Sequence, residues 1–258
     1  YPTSVEITLP AAMTAIPFGT EDAAVVAENG DGTKTWSYES NHLGGILYAG
    51  DYIREDIQTS GITVAFYYGR KHQAVMEAAG AADAVRAVIS YCTQHYGFPS
   101  AFGATGTLKL IQSRVSGGGY ATAGASLLDE ADFTSANLGN TGKGAVPGEV
   151  FIHELVHQWW GLGNMFDVAD ETSPWSSEGL TVYTTYRIVK ELYGEDYAQK
   201  HYVDQWQQEV DDYFLNFYVR RPEYLEKLPE AERLNIAGSL SGVRHYSEMP
   251  LKILKAEQ

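Results

Sequence analysis

Two histidines and a glutamate occur within five consecutive positions of the chain. His153 and His157 are four residues apart, so on a helix they project from the same face, one turn apart. Two imidazoles placed in this way can bind one metal ion, and Glu154 can reach a metal-bound water without being a ligand itself. The spacing therefore predicts a catalytic site that holds one Zn2+ ion.

The residues around this motif favour a helix over 147–161 that is buried on its other faces. No Gly or Pro interrupts 150–160, and Pro147 is a favoured residue at a helix start. The apolar residues that would cover the other faces are Phe151, Ile152, Leu155 and Val156. The alternative, a surface helix with two histidines, is disfavoured because these neighbours would bury unpaired imidazoles.

A catalytic zinc ion takes three protein ligands and keeps one position open for water. Two acidic residues downstream are candidates for the third ligand. Glu171 lies in a polar segment, which favours a solvated loop. Glu178 stands among apolar and aromatic residues at the start of a predicted helix, where a half-buried carboxylate needs a positive partner. We therefore assign Glu178 as the third ligand.

The elements that position these residues follow an α+β plan, with strands first, a mixed section next and helices last. Residues 1–72 form a predicted β-rich N-terminal segment and 73–258 a predicted catalytic domain. Strands are predicted over 4–9, 33–38, 46–49, 62–68 and 108–111. Helices are predicted over 74–96, 147–161, 176–193, 195–220 and 223–235. The glycine-rich segment 116–128 is either an edge strand or a loop close to a ligand, and 137–148 is a predicted loop.

The composition indicates a folded protein with an acidic surface. A formal net charge of −15 argues against nucleic acid as a partner, because phosphate backbones need clustered Lys and Arg. Cys92 is the single cysteine, which excludes an intramolecular disulfide. No run of 18 apolar residues occurs, so no membrane span is expected within this chain. The first residue is Tyr1 rather than Met, which is compatible with missing flanking domains, and no compartment is indicated.

Two segments together resemble the zinc aminopeptidase family of gluzincins, which includes aminopeptidase N and leukotriene hydrolase. Residues 153–161 read His-Glu-Leu-Val-His-Gln-Trp-Trp-Gly, and 175–183 read Trp-Ser-Ser-Glu-Gly-Leu-Thr-Val-Tyr. The resemblance implies a thermolysin-like peptidase domain, preceded by the end of a small β-rich domain, that acts on peptide substrates.

The sequence departs from the family pattern at three points. Glu178 follows His157 by 21 residues, two more than usual, and Ser177 replaces the usual asparagine. The chain also stops soon after the peptidase domain. The family's substrate-binding strand corresponds to Gly118, Gly119, Tyr120 and Ala121. Ala121 stands where the family has the glutamate that grips a free amino terminus. These glycines either lie along the substrate backbone or form a flexible loop.

The resemblance also implies a tyrosine on a later helix that stabilises the transition-state oxyanion. Tyr246, within 244–250, is the candidate, although the Lys-Gly that normally follows is missing. Two alternatives stay open: Tyr246 is a packed tyrosine without a catalytic role, or His245 is the donor.

These features together predict a zinc metallopeptidase, aminopeptidase-like, in which Glu154 assists a zinc-bound water. The missing glutamate at Ala121 keeps an endopeptidase or another zinc hydrolase open. A catalytically silent zinc-containing binding domain is a second alternative. The presence of Glu154 argues against it, since a purely structural metal site needs no general base.

Overall fold

The computed structural model describes residues 3–17, 25–40, 47–99, 107–114, 118–133, 149–164 and 175–257. The chain divides into two compact units. Unit 1 comprises Tyr1–Thr141 and Ala145–Trp159, and unit 2 comprises Gly142–Gly144 and Trp160–Gln258. The boundary near residue 72 that the sequence suggests stays a prediction.

Unit 1 is built from strands and three α-helices in its described residues. Its strands are β1 (Thr3–Pro10), β2 (Thr14–Pro17), β3 (Val25–Glu28), β4 (Thr33–Ser40), β5 (Leu47–Gly50), β6 (Tyr52–Thr59), β7 (Ile62–Gly69), β8 (Thr107–Ser113), β9 (Gly119–Thr122) and β10 (Ala125–Asp129). Its helices are α1 (Gln73–Ala79), α2 (Ala81–Tyr96) and α3 (Glu149–Val156). Short 3-10 turns follow β7 at Arg70–His72 and β10 at Glu130–Asp132.

A five-stranded sheet with the order β6-β7-β8-β10-β9 forms the base of unit 1. The pairs β7–β8 and β8–β10 are parallel, and the two outer pairs are antiparallel. Strand β7 is mostly apolar, and both β7 and β8 are buried along most of their length, as expected of central strands covered on both faces. The sheet thus joins strands from 52–69 with strands from 107–129.

Different groups of residues pack on the two faces of this five-stranded sheet. One face holds a core cluster of Ile16, Ala65, Tyr67, Ile111 and Leu127. On the other face, the ring of Phe66 packs edge-on against Phe151 of α3, with centroids 5.7 Å apart. Helix α2 also contacts α3. Helix α3, which contains His153, therefore packs against the buried centre of the sheet and against α2.

One charged side chain lies inside this core. Lys109 of β8 is 1% exposed, and its ammonium group donates a hydrogen bond to the carbonyl of Pro17, at 2.8 Å. A buried ammonium needs such an acceptor because removal from water penalises the charged form.

Five predicted strands are confirmed, since β1, β4, β5, β7 and β8 match their predicted ranges. The segment 116–128 contains an edge strand, β9, as one of the two alternatives proposed. The single helix predicted over 74–96 is wrong. It breaks at Gly80, which has a φ of +68° and ends α1 in the left-handed conformation. The loop predicted over 137–148 lies outside the described residues.

Unit 2 is helical in its described residues. Its α-helices are α4 (Leu180–Tyr193), α5 (Glu195–Ala198), α6 (Asp204–Leu215), α7 (Phe217–Arg220), α8 (Pro222–Leu225), α9 (Glu230–Val243) and α10 (Met249–Ala256). Three wider, π-helical turns occur at Trp175–Gly179, Gln199–Val203 and Arg244–Glu248. An aromatic cluster of Tyr186, Tyr202 and Trp206 packs α4 against the following segments, with centroids 5.4 to 6.2 Å apart.

The helix predicted over 176–193 is confirmed, although its first turn is π-helical. The single helix predicted over 195–220 is wrong: Asn216 adopts an extended conformation, and its side chain accepts a hydrogen bond from the Tyr218 amide at 2.9 Å. The helix over 223–235 is replaced by α8 and α9. Among the described residues, no helix is long and apolar enough to cross a lipid bilayer.

Candidate active site

The first of the two predicted metal-binding histidines, His153, lies on helix α3, and the second, His157, directly follows its last residue. Their Nε2 atoms lie 3.0 Å apart, and their rings are almost perpendicular, at 84°. His157 is 7% exposed, and His153 is half-buried. The facing Nε2 atoms fit a shared ion, because two nitrogen ligands of a tetrahedral zinc site stand about 3.3 Å apart.

The α3 helix ends earlier than predicted, at Val156 rather than at 161. Beyond it the chain tightens, since the amides of Gln158 and Trp159 donate to carbonyls only three residues back, at 3.1 and 2.9 Å. The indole N–H of Trp159 donates to the Gly97 carbonyl at 2.9 Å. The end of the segment that contains the two predicted metal ligands is therefore anchored within unit 1.

Glu154 is buried, at 6% exposure, and lies against strand β9. A β-carbon on Gly119 would overlap Cγ, Cδ and Oε1 of Glu154. Only a glycine therefore allows the strand to approach the carboxylate this closely. The structure brings together the predicted general base and one of the predicted substrate-binding residues.

The register of β9 shows which of its side chains face α3. Gly119 pairs with Leu128, and Ala121 pairs with Ser126, whose hydroxyl donates to the Glu154 carbonyl at 2.8 Å. Ala121 therefore shares the α3 face with Gly119 and presents only a methyl group there. Tyr120 pairs with Leu127 of the opposite face and is 58% exposed. Gly118 precedes the strand, with a φ of +121°, and its carbonyl accepts from the Asp129 amide.

Two buried polar residues beside the candidate site in unit 1, Gln158 and Ser126, are missed by sequence reasoning. Both are fully buried polar residues, and Gln158 bonds the backbone on either side of the β9–β10 turn. The available signal was a glutamine directly after the second histidine in an otherwise apolar segment. Its partners are 34 and 36 residues away in sequence, where no local pattern shows them.

In unit 2, Glu178 lies on the π-helical turn Trp175–Gly179 and is half-buried. The neighbouring Ser177 lies directly against Gly161, because a β-carbon on Gly161 would overlap its hydroxyl oxygen. Gly161 also has a φ of +85°, which side chains rarely adopt. The indole N–H of Trp160 donates to the Thr184 hydroxyl at 3.0 Å. Glu171 lies outside the described residues.

Tyr246 lies on a second π-helical turn of the same unit, Arg244–Glu248, and is 46% exposed. This turn contacts the turn of Glu178: a β-carbon on Gly179 would stand 2.8 Å from Cβ of Met249 and 3.6 Å from the His245 carbonyl. The centroids of the His245 and Tyr246 rings are 6.4 Å apart. Unit 2 thus brings the third predicted ligand and both predicted oxyanion donors onto adjoining turns. The exposure of Tyr246 also shows that it is not a core tyrosine.

Glu248 stabilises the turn that carries Tyr246. Arg244 donates to its carboxylate at 3.0 Å and Lys252 at 2.6 Å, one helical turn on either side. Burial acts to raise the pKa of Glu248, but the hydrogen bonds from Lys252 and Arg244 outweigh it and hold the pKa below its usual value. Glu248 is therefore ionised at neutral pH.

Solved structures with a similar fold are M1 zinc metallopeptidases. A two-domain M1 zinc metallopeptidase mutant bound to L-arginine is 20% identical, with a TM-score of 0.51, over 80% of this chain and 44% of that one. A mutant M1 zinc metallopeptidase from Deinococcus radiodurans, bound to a Tyr-Ser-Ala substrate, is 21% identical, with a TM-score of 0.51, over 81% of this chain and 44% of that one.

At these identities the similarity concerns the fold, and the chain spans less than half the length of these solved chains. The α+β class predicted from sequence is confirmed. The thermolysin-like detail stays a prediction. No protein-family model and no curated protein matches the chain.

Proposed function

We propose that this chain is a zinc metallopeptidase, aminopeptidase-like, that hydrolyses peptide bonds. The observation that carries the proposal is the pair of facing imidazole nitrogens of His153 and His157, 3.0 Å apart. The residue after His153, Glu154, is a buried carboxylate beside the edge strand β9. A structural metal site needs ligands only, whereas a carboxylate next to a ligand pair and beside a peptide-binding edge suits hydrolysis. The similarity in fold to zinc metallopeptidases supports the same reading.

We propose that the zinc ligands are His153, His157 and Glu178. The two histidines face each other within unit 1, and Glu178 is the acidic residue that the sequence assigns as the third ligand. Two neutral imidazoles and one carboxylate are a ligand set of catalytic zinc sites, which leave the fourth position to water. Zinc, when bound, lowers the pKa of that water and polarises the scissile carbonyl.

In this proposal Glu154 is the general base. Its carboxylate accepts a proton from the attacking water and delivers it to the nitrogen of the leaving amine, while the C–N bond breaks. Its burial excludes bulk water, which would otherwise compete for the proton. The hydroxyl of Tyr246 donates a hydrogen bond to the oxyanion, and His245, on the same turn, is the alternative donor.

We propose that the substrate backbone adds to the outer edge of β9, with Gly118, Gly119, Tyr120 and Ala121 as the contact residues. Among the described strands, β9 is paired only with β10, so it has an outer edge. Ala121 faces α3 without a carboxylate. This observation favours a second candidate function, an endopeptidase that does not anchor a free amino terminus.

The experiment that tests the proposal is hydrolysis of two fluorogenic peptides of one sequence, with a free and with an acetylated amino terminus. Each is assayed with zinc-loaded protein, with chelator-treated protein and with Glu154→Gln. Cleavage of the free peptide alone, lost in the latter two, supports an aminopeptidase, whereas cleavage of both peptides supports an endopeptidase. Zinc-loaded protein that cleaves neither peptide contradicts the proposal.

A further inference from the structure

The side chain of Gln158 joins the segment that directly follows helix α3 to the hairpin of β9 and β10. Its Oε1 accepts a hydrogen bond from the Gly124 amide at 3.0 Å, and its Nε2 donates to the Thr122 carbonyl at 2.9 Å. Thr122 ends β9, and Gly124 lies in the turn before β10. A single buried amide thus uses both its donor and its acceptor on one turn.

A second connection runs beside the first. The hydroxyl of Ser126 donates to the Glu154 carbonyl at 2.8 Å and lies 3.4 Å from Nε2 of Gln158. Glu154 and Gln158 are four residues apart, as are His153 and His157, but the two pairs are offset by one residue. One side of the segment therefore meets the hairpin while the adjacent side presents the imidazoles.

These hydrogen bonds set the position of the edge strand β9 relative to the carboxylate of Glu154. Gly119 of β9 stands in contact with the carboxylate of Glu154, with no room for a β-carbon between them. The distance between β9 and Glu154 therefore sets the distance between Glu154 and a substrate strand that pairs with β9. Small misplacements matter, because an error of about 1 Å can cost about a hundredfold in rate.

We propose that Gln158 is a positioning residue for the substrate: its amide sets the separation between β9 and the segment that contains His153, Glu154 and His157. This role rests on the proposed peptidase function. Gln158 acts through the strand and contacts neither the scissile bond nor the metal.

Two variants separate this role from simple support of the fold. Gln158→Glu keeps the length and the acceptor for the Gly124 amide, but places a carboxylate oxygen against the Thr122 carbonyl. Gln158→Ala removes both hydrogen bonds. Gln208→Ala is the matched control, since Gln208 lies exposed on α6 of unit 2 and its side chain donates a hydrogen bond to the exposed Asp212 at 3.0 Å.

We expect both Gln158 variants to bind one zinc ion per chain and to lose about a hundredfold in kcat/KM, mostly through a higher KM. Hydrogen–deuterium exchange should accelerate in 119–126 and stay unchanged in 62–69. The control should match the parent in all three measurements. Gln158→Glu is the variant to use where Gln158→Ala does not fold.

Two different failures are distinguishable. An active parent whose Gln158 variants have a lower melting temperature but an unchanged KM overturns the positioning role and leaves the peptidase function standing. A zinc-loaded parent that hydrolyses no peptide overturns the proposed function, and the positioning role with it.

Discussion

Unit 1 and unit 2 each hold candidate site residues, but they do so with different kinds of backbone. In unit 1, His153 and Glu154 lie on a regular helix whose buried side packs on the central sheet through Phe151. Hydrogen bonds from the side chains of Ser126 and Gln158 also connect this segment to the β9–β10 hairpin. The candidate residues are thus held by many contacts that do not depend on their own side chains.

In unit 2, Glu178 and Tyr246 lie on two π-helical turns, each of which holds one residue more than an α-helical turn. The turns are kept together by the close approach of Gly179 to Met249 and by the ion pairs of Glu248. π-Helical turns often occur at functional sites, where the extra residue redirects side chains.

The difference leads to distinct expectations for the two units. Substitutions near the unit 1 residues should alter chemistry while the fold persists, because the sheet and helix core is independent of them. Substitutions that disturb the unit 2 turns should alter stability as well as activity, because those turns are part of the packing.

The largest effect is expected for His157→Ala. Loss of one imidazole should remove the zinc ion and reduce peptide hydrolysis by a factor of about 1,000 or more. Zinc content per chain and hydrolysis of the free peptide check this result. His95→Ala, which changes an exposed histidine of the same unit, should retain both. Full zinc content in His157→Ala would show that the metal site lies elsewhere.

Tyr246→Phe should lower kcat about 100-fold or more, with zinc content and KM retained, because one oxyanion donor is lost. Tyr224→Phe is a matched control, since Tyr224 is also 46% exposed and lies in the same unit. If Tyr246→Phe keeps full activity and His245→Ala does not, His245 is the donor.

Gly119→Ala should lower kcat by about 100-fold, because the added methyl group displaces the Glu154 carboxylate. Zinc content and melting temperature should change little, since a carboxylate end can move more easily than packed backbone. Gly238→Ala, where a β-carbon meets open space, is the control. Unimpaired hydrolysis by Gly119→Ala would contradict the assigned role of Glu154.

The counterpart in unit 2 is Gly179→Ala, whose new methyl group would press on Cβ of Met249. We expect a loss of about 1–3 kcal/mol in the free energy of unfolding, measured by urea denaturation. This variant should also lose activity in proportion to the displacement of Glu178. Unchanged stability would show that the two turns are less tightly packed than the comparison requires.

The smallest effect is expected for Glu248→Gln. The pKa of Glu248 is lowered in the folded protein, so its contribution to stability is present above its unfolded pKa near 4.5 and is lost as pH falls below that value. The variant should lose about 1 kcal/mol or less at pH 7 and match the parent near pH 3. Urea denaturation at both pH values measures this, with exposed Glu232→Gln as control. A difference that persists at pH 3 would contradict the charge-based explanation.

The sequence correctly predicts those helices and strands whose pattern is contained in a few consecutive residues. The apolar flanks of His153 predict helix α3, and alternating or apolar runs predict β1, β4, β7 and β8. Strand β6 is harder to predict as a separate element, because Arg54, Asp56 and other polar residues leave Ile57 as its only fully buried side chain.

Other features depend on geometry that a local pattern does not contain. The π-helical turns keep an apolar spacing close to that of an α-helix, so 176–193 reads as one helix. The break at Gly80 depends on a left-handed backbone conformation inside an Ala-rich run that favours helix. The hydrogen bonds of Gln158 span more than 30 residues and become visible only once the hairpin is folded.

The buried ammonium of Lys109 bears on how the chain can be shortened. Its acceptor at Pro17 precedes residue 73, as do β6 and the central strand β7. A protein trimmed to begin at residue 73 would leave β8 without its neighbour on that side and a charge in the interior with one acceptor fewer. The acceptor at Pro17 and the strands β6 and β7 therefore support the sheet on which helix α3 packs, and a shortened chain that keeps this packing has to include them.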